Sequence, residues 1–236
     1  MSVDVLKKNL KDLVDELKKL HEKEIEQLLT ENEAALLSNE FENKLKEADP
    51  EIVFEFLLVL PGSLFTKIIE KFGSVIYEKI MHASTKVIAR IFDQLPHDLR
   101  KQFNRAFREP IMNYLKNQRI QDLTIMIYNI SPPSRSGAFS MLRPVIIDKN
   151  FATKILETSL EDLEAFISVL SEDLRKVLIT KQEEVFMGSD FGQKLKEASN
   201  EEIVNLLRWF PKNMYNKFIE VHKSVLEEKG LRLSPE

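Results

Sequence analysis

The residues in this chain of 236 that are able to move a proton or hold a metal are four histidines and a scatter of acid pairs. His21, His82, His97 and His222 fall in different stretches, without the paired spacing of a metal site, and "HEKEIE" from His21 lacks the second histidine of a zinc-protease helix. Pairs such as Glu22 with Glu26, or Glu183 with Glu184, lie on helix faces that read as solvated. A carboxylate needs a desolvated cleft before it serves as a general acid or base. "LPGSLFTK" from Leu60 carries one glycine and lacks the Gly-Lys-Ser/Thr ending that cradles phosphate. The chain has no cysteine, which excludes disulfides, thiolate zinc sites, iron–sulfur clusters and cysteine nucleophiles. The expectation is a protein that is not an enzyme and holds no cofactor or metal.

The chemistry that remains is electrostatic. Net charge is −4, yet from Ser84 to Lys149 eleven lysines and arginines face five acids, leaving a basic middle between acidic ends. Within "HDLRKQFNRAFREPI" from His97, Leu99, Phe103, Ala106 and Phe107 form a core face. Lys101, Arg105 and Arg108 then follow at spacings of four and three on the opposite side of a helix. Arg100, Lys116 and Arg119 extend this patch, which suits an acidic protein partner, an anionic membrane surface or a nucleic-acid backbone. The plain alternative is a solvated face neutralised by acids of neighbouring segments. Interleaved aromatics, which would favour single-stranded nucleic acid by stacking, are not evident.

The elements that must position these cations are written as a repeat. "FENKLKEAD" from Phe41 returns as "FGQKLKEAS" from Phe191, and the match extends in both directions. Asn9, Asp49, Ser84, Arg119, Ser159 and Ser199 stand at separations of 40, 35, 35, 40 and 40 residues. All but Arg119 are types whose side chains accept hydrogen bonds from the first turn of a helix, and Pro50 suits a first helical position. Each is followed by an eleven-residue segment with apolar residues at its fourth, eighth and eleventh positions, as in Leu13, Leu17 and Leu20 or Leu163, Ile167 and Leu170. That spacing defines one buried helical face. His21, Pro61, Pro96, Ser131, Ser171 or Pro211 then stops the helix and starts a second of about fifteen residues, and a shorter third closes the unit.

Such units bury their apolar faces only by stacking. The fold class expected is therefore all-α: an α-solenoid, a superhelix of HEAT or armadillo type, with six irregular units of about 35–40 residues near 1–40, 41–75, 76–110, 111–150, 151–190 and 191–236. They are read as one helical-repeat domain over 1–236. Leu6, Leu10, Leu13, Leu17 and Leu20 imitate a coiled-coil seam, but the repeat register makes them part of unit one. Glu16 there takes a position that is apolar in the other five units, as befits a terminal, solvent-facing unit.

Two units depart from the pattern. Unit four, "SPPSRSGAFSMLRP" from Ser131, puts Ser134 and Ala138 where others place large apolar residues, so a groove or hinge beside Arg135, Phe139 and Arg143 is one expectation. A one-residue shift of register, burying Phe139, Leu142 and Ile146, is the other. The last unit keeps Leu206 and adds Trp209, an apolar end open to a partner or a second copy unless "VLEEKGLRLSPE" folds back over it.

The segments "DPEIVFEFLLVLPGSLFTKIIEKF" and "STKVIARIFDQLPHDLRKQFNRAF" resemble the short-helix superhelical repeats of MgtE-type magnesium transporter N-terminal domains and of the flagellar motor-switch protein FliG. An acid-and-Pro start, an aliphatic helix and a Leu-Pro turn carry the likeness. It implies a protein-interaction role and carries no binding motif onto named residues here.

The N-terminus "MSVDVLKKNLKDL" has no apolar core of a secretory signal, and "IVFEFLLVL" is far short of the roughly 20 residues of a membrane span. The reading is a cytoplasmic interaction scaffold, with nucleic-acid binding through the basic middle as its alternative.

Overall fold

The computed structural model describes residues 5–233. Among them the regular structure is helical throughout, without a strand. Counted from cap to cap, repeat one holds α1 (Leu10–Leu17), α2 (Glu22–Glu31), α3 (Glu33–Leu36) and α4 (Asn39–Glu47). Repeat two holds α5 (Pro50–Val59), α6 (Gly62–Lys71) and α7 (Gly73–His82), and repeat three holds α8 (Thr85–Gln94), α9 (His97–Ala106) and α10 (Arg108–Asn117). Repeat four comprises α11 (Ile120–Tyr128), a 3-10 turn (Pro132–Ser134), α12 (Arg135–Ile146) and α13 (Phe151–Glu157). Repeat five comprises α14 (Leu160–Val169), α15 (Glu172–Lys181), α16 (Glu183–Phe186) and α17 (Ser189–Glu197), and repeat six α18 (Asn200–Leu207), α19 (Lys212–Val221) and α20 (Lys223–Glu228).

The uneven spacing has a structural cause. Repeats one and five insert the one-turn helices α3 and α16 before their closing helix, and repeats two and three run straight into it. Repeat four gains its extra length from a longer α12 and the turn after it.

The chain divides into two compact units, Met1–Tyr114 and Leu115–Glu236. In the first, α1 packs on α5 and α5 on α8, α6 on α9 and α4 on α7. In the second, α11 packs on α14 and α14 on α18, α12 on α15, α13 on α17 and α17 on α20. Equivalent helices of successive repeats thus lie side by side, which is how a repeat too small for its own core acquires one.

The apolar columns are the core. Residues at the fourth, eighth and eleventh positions are buried in every repeat except Leu20, which is half-buried at the free side of repeat one. Each such Leu, Ile or Phe contributes on the order of 1.5–3 kcal/mol by leaving water. Phe186, Phe191, Phe210 and Phe218 form an edge-to-face cluster between repeats five and six, with ring centroids 5.1–5.9 Å apart.

The caps follow the expected column with one more exception. Asn9, Ser84, Ser159 and Ser199 accept from the backbone N–H three residues on, and Glu202 returns a bond to the Ser199 N–H. Asp49 occupies the cap position without a side-chain bond. The second helices are shorter than the fifteen residues expected. Most of them run ten residues and stop at Asn32, Phe72, Phe107, Gln182 or His222, where φ falls to between −97° and −116° and ψ rises to 13–27°. This single-residue bend redirects the chain so that the closing helix packs against its neighbour in the adjoining repeat.

Candidate functional site

At the bends, side chains of one repeat satisfy carbonyls of the repeat before it. Gln182 Nε2 donates to the Ile146 carbonyl at 2.8 Å, and His222 Nε2 bonds the Phe186 carbonyl at 2.7 Å. A carbonyl only accepts, so Nε2 carries the hydrogen and Nδ1 the lone pair. Burial against Phe191 and Phe218 pushes the His222 imidazole below its ordinary pKa, and the bond to Phe186 opposes the shift in part.

A lysine column does the same at the closing helices. Lys44 donates to Lys8 O, Lys79 to Lys46 O, Lys154 to Gln118 O, Lys194 to Thr158 O and Lys229 to Lys196 O. The last carbonyls of a helix have no internal partner, and a cation there also meets the negative end of the helix dipole. Partial burial pulls the Lys194 ammonium below the ordinary lysine range. The first lysine of "KLKEA" therefore ties repeats together. In the second copy glycine stands in place of Glu42, and a Cβ at Gly192 would stand a tight 3.2 Å from His222 Nδ1.

These ties and the packing decide which of the expected binding residues remain available. Arg100 is half-buried and donates to the Phe92 carbonyl at the end of α8. Arg135 Nε donates to Ile130 O at 2.9 Å, and Arg175, in the same register position, donates to Leu170 O at 3.0 Å. All three close the preceding helix. Lys116 pairs with Asp148 at 2.9 Å, and Asp148 is held below the usual carboxylate range by the Asn150 N–H and by Lys116. Arg119 pairs with Asp122 at 2.9 Å, which raises the guanidinium pKa and lowers that of the carboxyl. Trp209 donates from Nε1 to Glu164 at 2.7 Å, and the Arg175 guanidinium stacks 4.5 Å from its ring centroid.

Repeat four needs no register shift: Ala138 keeps the buried position, with Met141, Leu142, Val145 and Ile146 behind it, and Phe139 is half-buried. Gly137 and Pro144 are accommodated inside α12. Arg143 is exposed and unpaired among the described residues.

At the C-terminal end, Gly230 takes a left-handed turn (φ 72°) and Leu231 N–H returns to Leu226 O, a helix-ending motif that needs glycine. Leu231 and Leu233 then help wall a cavity of about 490 Å³ with Ile219 and Leu226. Residues 234–236 lie outside the described residues. Glu16 is 40% exposed in its side chain, pairs with Lys8 and lines a cavity of about 480 Å³ beside Leu20 and Leu28, as a terminal repeat requires.

Besides Arg143, Lys101, Arg105 and Arg108 remain. All three are exposed, and none has a hydrogen bond or ion pair among the described residues. Lys101 and Arg105 stand one turn apart on α9, whereas Arg108 begins α10 beyond the bend at Phe107. The row is thus broken over two helices of the first unit instead of running along one. Ala106, expected in the core face, is exposed.

Among the described residues no cluster of His, Asp or Glu is arranged to hold a metal ion, and no helix is long and apolar enough to cross a membrane. Compared with protein families, curated proteins and solved structures, the chain matches none.

Proposed function

We propose that the chain is a non-catalytic interaction scaffold of the cytoplasm whose contact in its first unit is the cation group Lys101, Arg105 and Arg108. The observation that supports this reading is selective commitment. Arg100, Lys116, Arg119, Arg135 and Trp209 are engaged within the protein, while these three cations are exposed and unpaired at adjoining positions of α9 and α10; Arg143, the other exposed and unpaired candidate, stands alone on α12. Unpaired neighbouring cations repel one another and gain nothing for the fold, so their favourable role is external. An acidic segment of a partner protein is the ligand favoured. No large aromatic stands exposed on α9 to stack a base.

Binding of a fluorescein-labelled twelve-residue Asp/Glu peptide by the wild-type chain and by Lys101→Ala/Arg105→Ala/Arg108→Ala tests the reading. A loss of about tenfold in the triple variant is expected. Equal binding by both proteins rejects it. A random oligonucleotide that binds with a steep fall between low and moderate salt would move the assignment to the nucleic-acid alternative.

A further inference from the structure

The outward faces of the first helices differ between the two units in a way that fold maintenance does not require. In the first unit, α1, α5 and α8 carry matched charges in the outward columns. Glu55 accepts from Lys18 at 2.8 Å and from Arg90 at 3.1 Å, and Arg90 also reaches Glu51 at 3.8 Å. That face is knit across three repeats, and the Glu55 carboxyl is held low by Lys18 first and Arg90 second.

In the second unit the same columns of α11, α14 and α18 are one-sided. They carry Asp122, Glu161, Asp162, Glu164, Glu201 and Glu202 against Arg208. Of these carboxylates only Asp122 forms an ion pair among the described residues. Asp162 is hydrogen-bonded by Gln121 and Ser159, Glu164 by Trp209 and Glu202 by Ser199, all neutral donors that fill lone pairs and leave the charge in place, with Lys229 adding a weaker attraction at Glu202 alone. Glu161 and Glu201 are exposed without a partner among the described residues. On α11, which packs on α14, stand Ile125, 43% exposed, and Tyr128, 76% exposed. They occupy the register positions that hold Glu55 or Arg90, and Lys18, in the first unit. The salt-bridge ladder has been replaced by an apolar pair on α11, with unpaired carboxylates on α14 beside it and on α18 beyond.

We infer that this face of the second unit docks a lysine- and arginine-rich amphipathic segment of a partner protein, its apolar side on Ile125 and Tyr128 and its cations on the carboxylates of α14 and α18. The occupant follows from charge: an apolar pair alone accepts any apolar surface, whereas carboxylates satisfied only by neutral donors select a cationic one. Two apolar anchors with a polar rim make a small, transient contact. The inference deepens the scaffold reading but uses a different unit and the opposite charge, so the two fail separately.

The test is anisotropy of a labelled eighteen-residue Lys/Leu peptide of helical amphipathic pattern against the full chain. Tyr128→Ala/Ile125→Ala and, separately, Glu161→Gln/Glu201→Gln should each weaken binding about fivefold or more, with unchanged melting by circular dichroism. Lys101→Ala/Arg105→Ala/Arg108→Ala should bind this peptide like the wild type. No binding by wild type, or binding insensitive to both face variants, overturns the inference. So does equal affinity for a peptide that keeps its lysines with serine for leucine. Concentration-dependent dimers in sedimentation velocity that Tyr128→Ala abolishes would show that a second copy is the occupant instead.

Discussion

His222 Nε2 donates to the Phe186 carbonyl 36 residues earlier, and Gln182, forty residues upstream in the same register position, donates across the same 36-residue interval to Ile146. A ring and an amide are thus interchangeable as suppliers of an N–H to the end of a helix that precedes the closing helix of the preceding repeat. They differ in that only the ring titrates.

His222→Gln should therefore keep the bond and remove a pH dependence. Because the imidazole pKa is lowered in the folded state, protons bind the unfolded chain first as pH falls below the ordinary histidine value. Stability is then full above that value and is lost below it. The Gln193 amide, Ser189 and Lys196 border the ring's cavity with no carboxylate to offset the charge. Thermal midpoints at pH 7.5 and 5.5 should fall further for the wild type than for the variant. An equal fall assigns the acid sensitivity to other groups.

Lys194→Met should cost about 1–2 kcal/mol, because it orphans the Thr158 carbonyl at a half-buried helix end. Lys217→Met, which removes the exposed pair with Glu183, should cost only a few tenths. Urea titrations of the two variants measure the contrast.

Arg100→Ala and the triple substitution of Lys101, Arg105 and Arg108 should separate fold from binding. Arg100 closes α8 through the Phe92 carbonyl, so its loss should lower stability by about 1 kcal/mol. The triple variant breaks no bond within the protein and should melt within a degree or two of the wild type. Calorimetry distinguishes them, and a large loss in the triple variant would reveal a structural role for the row.

Glu55→Gln should destabilise the first unit by about 1 kcal/mol, with less effect in high salt. The carboxyl pKa is lowered in the fold, so its contribution is present above the ordinary glutamate range and lost as pH falls through the folded value. Acid melts of wild type and variant should converge.

Trp209 is the single tryptophan, so its emission reports on repeat six. Arg175→Met should remove both the stacked cation and the closure of α14, shifting the emission and lowering stability by about 1–2 kcal/mol. A change in emission without a change in midpoint would mean that the stack is ornamental to the fold.

The repeat was legible because Leu13, Leu17 and their equivalents recur in phase with Asn9, Ser84 or Ser199, and a helix that buries one stripe and caps its start leaves both marks locally. The one-turn helices α3 and α16 were not separated from the helices around them, since a bend at Asn32 or Gln182 alters one residue's dihedrals and no residue type. The site was harder. Arg100, Arg135 and Lys116 read as free cations because their carbonyl or carboxylate partners are set by packing. A signal did exist: Lys44, Lys79, Lys154 and Lys194 each stand five residues before a cap, a column too regular for solvated charge. Tyr128 and Ile125 were hidden for another reason, since an apolar residue between buried neighbours looks like core until the fold turns it outward.

The carbonyl ties run one way. Lys79, Lys154, Gln182, Lys194, His222 and Lys229 all reach from a later repeat to an earlier one, and Lys44 of repeat one reaches back to Lys8 ahead of its first cap. Cutting repeats from the front frees lysines that water accepts gladly, whereas cutting from the back strips covers from helix ends already made. Within each unit the ties are therefore polarised like roof tiles, a later segment sealing one laid before it, and a chain emerging N-terminus first makes each tie only after the carbonyl it covers.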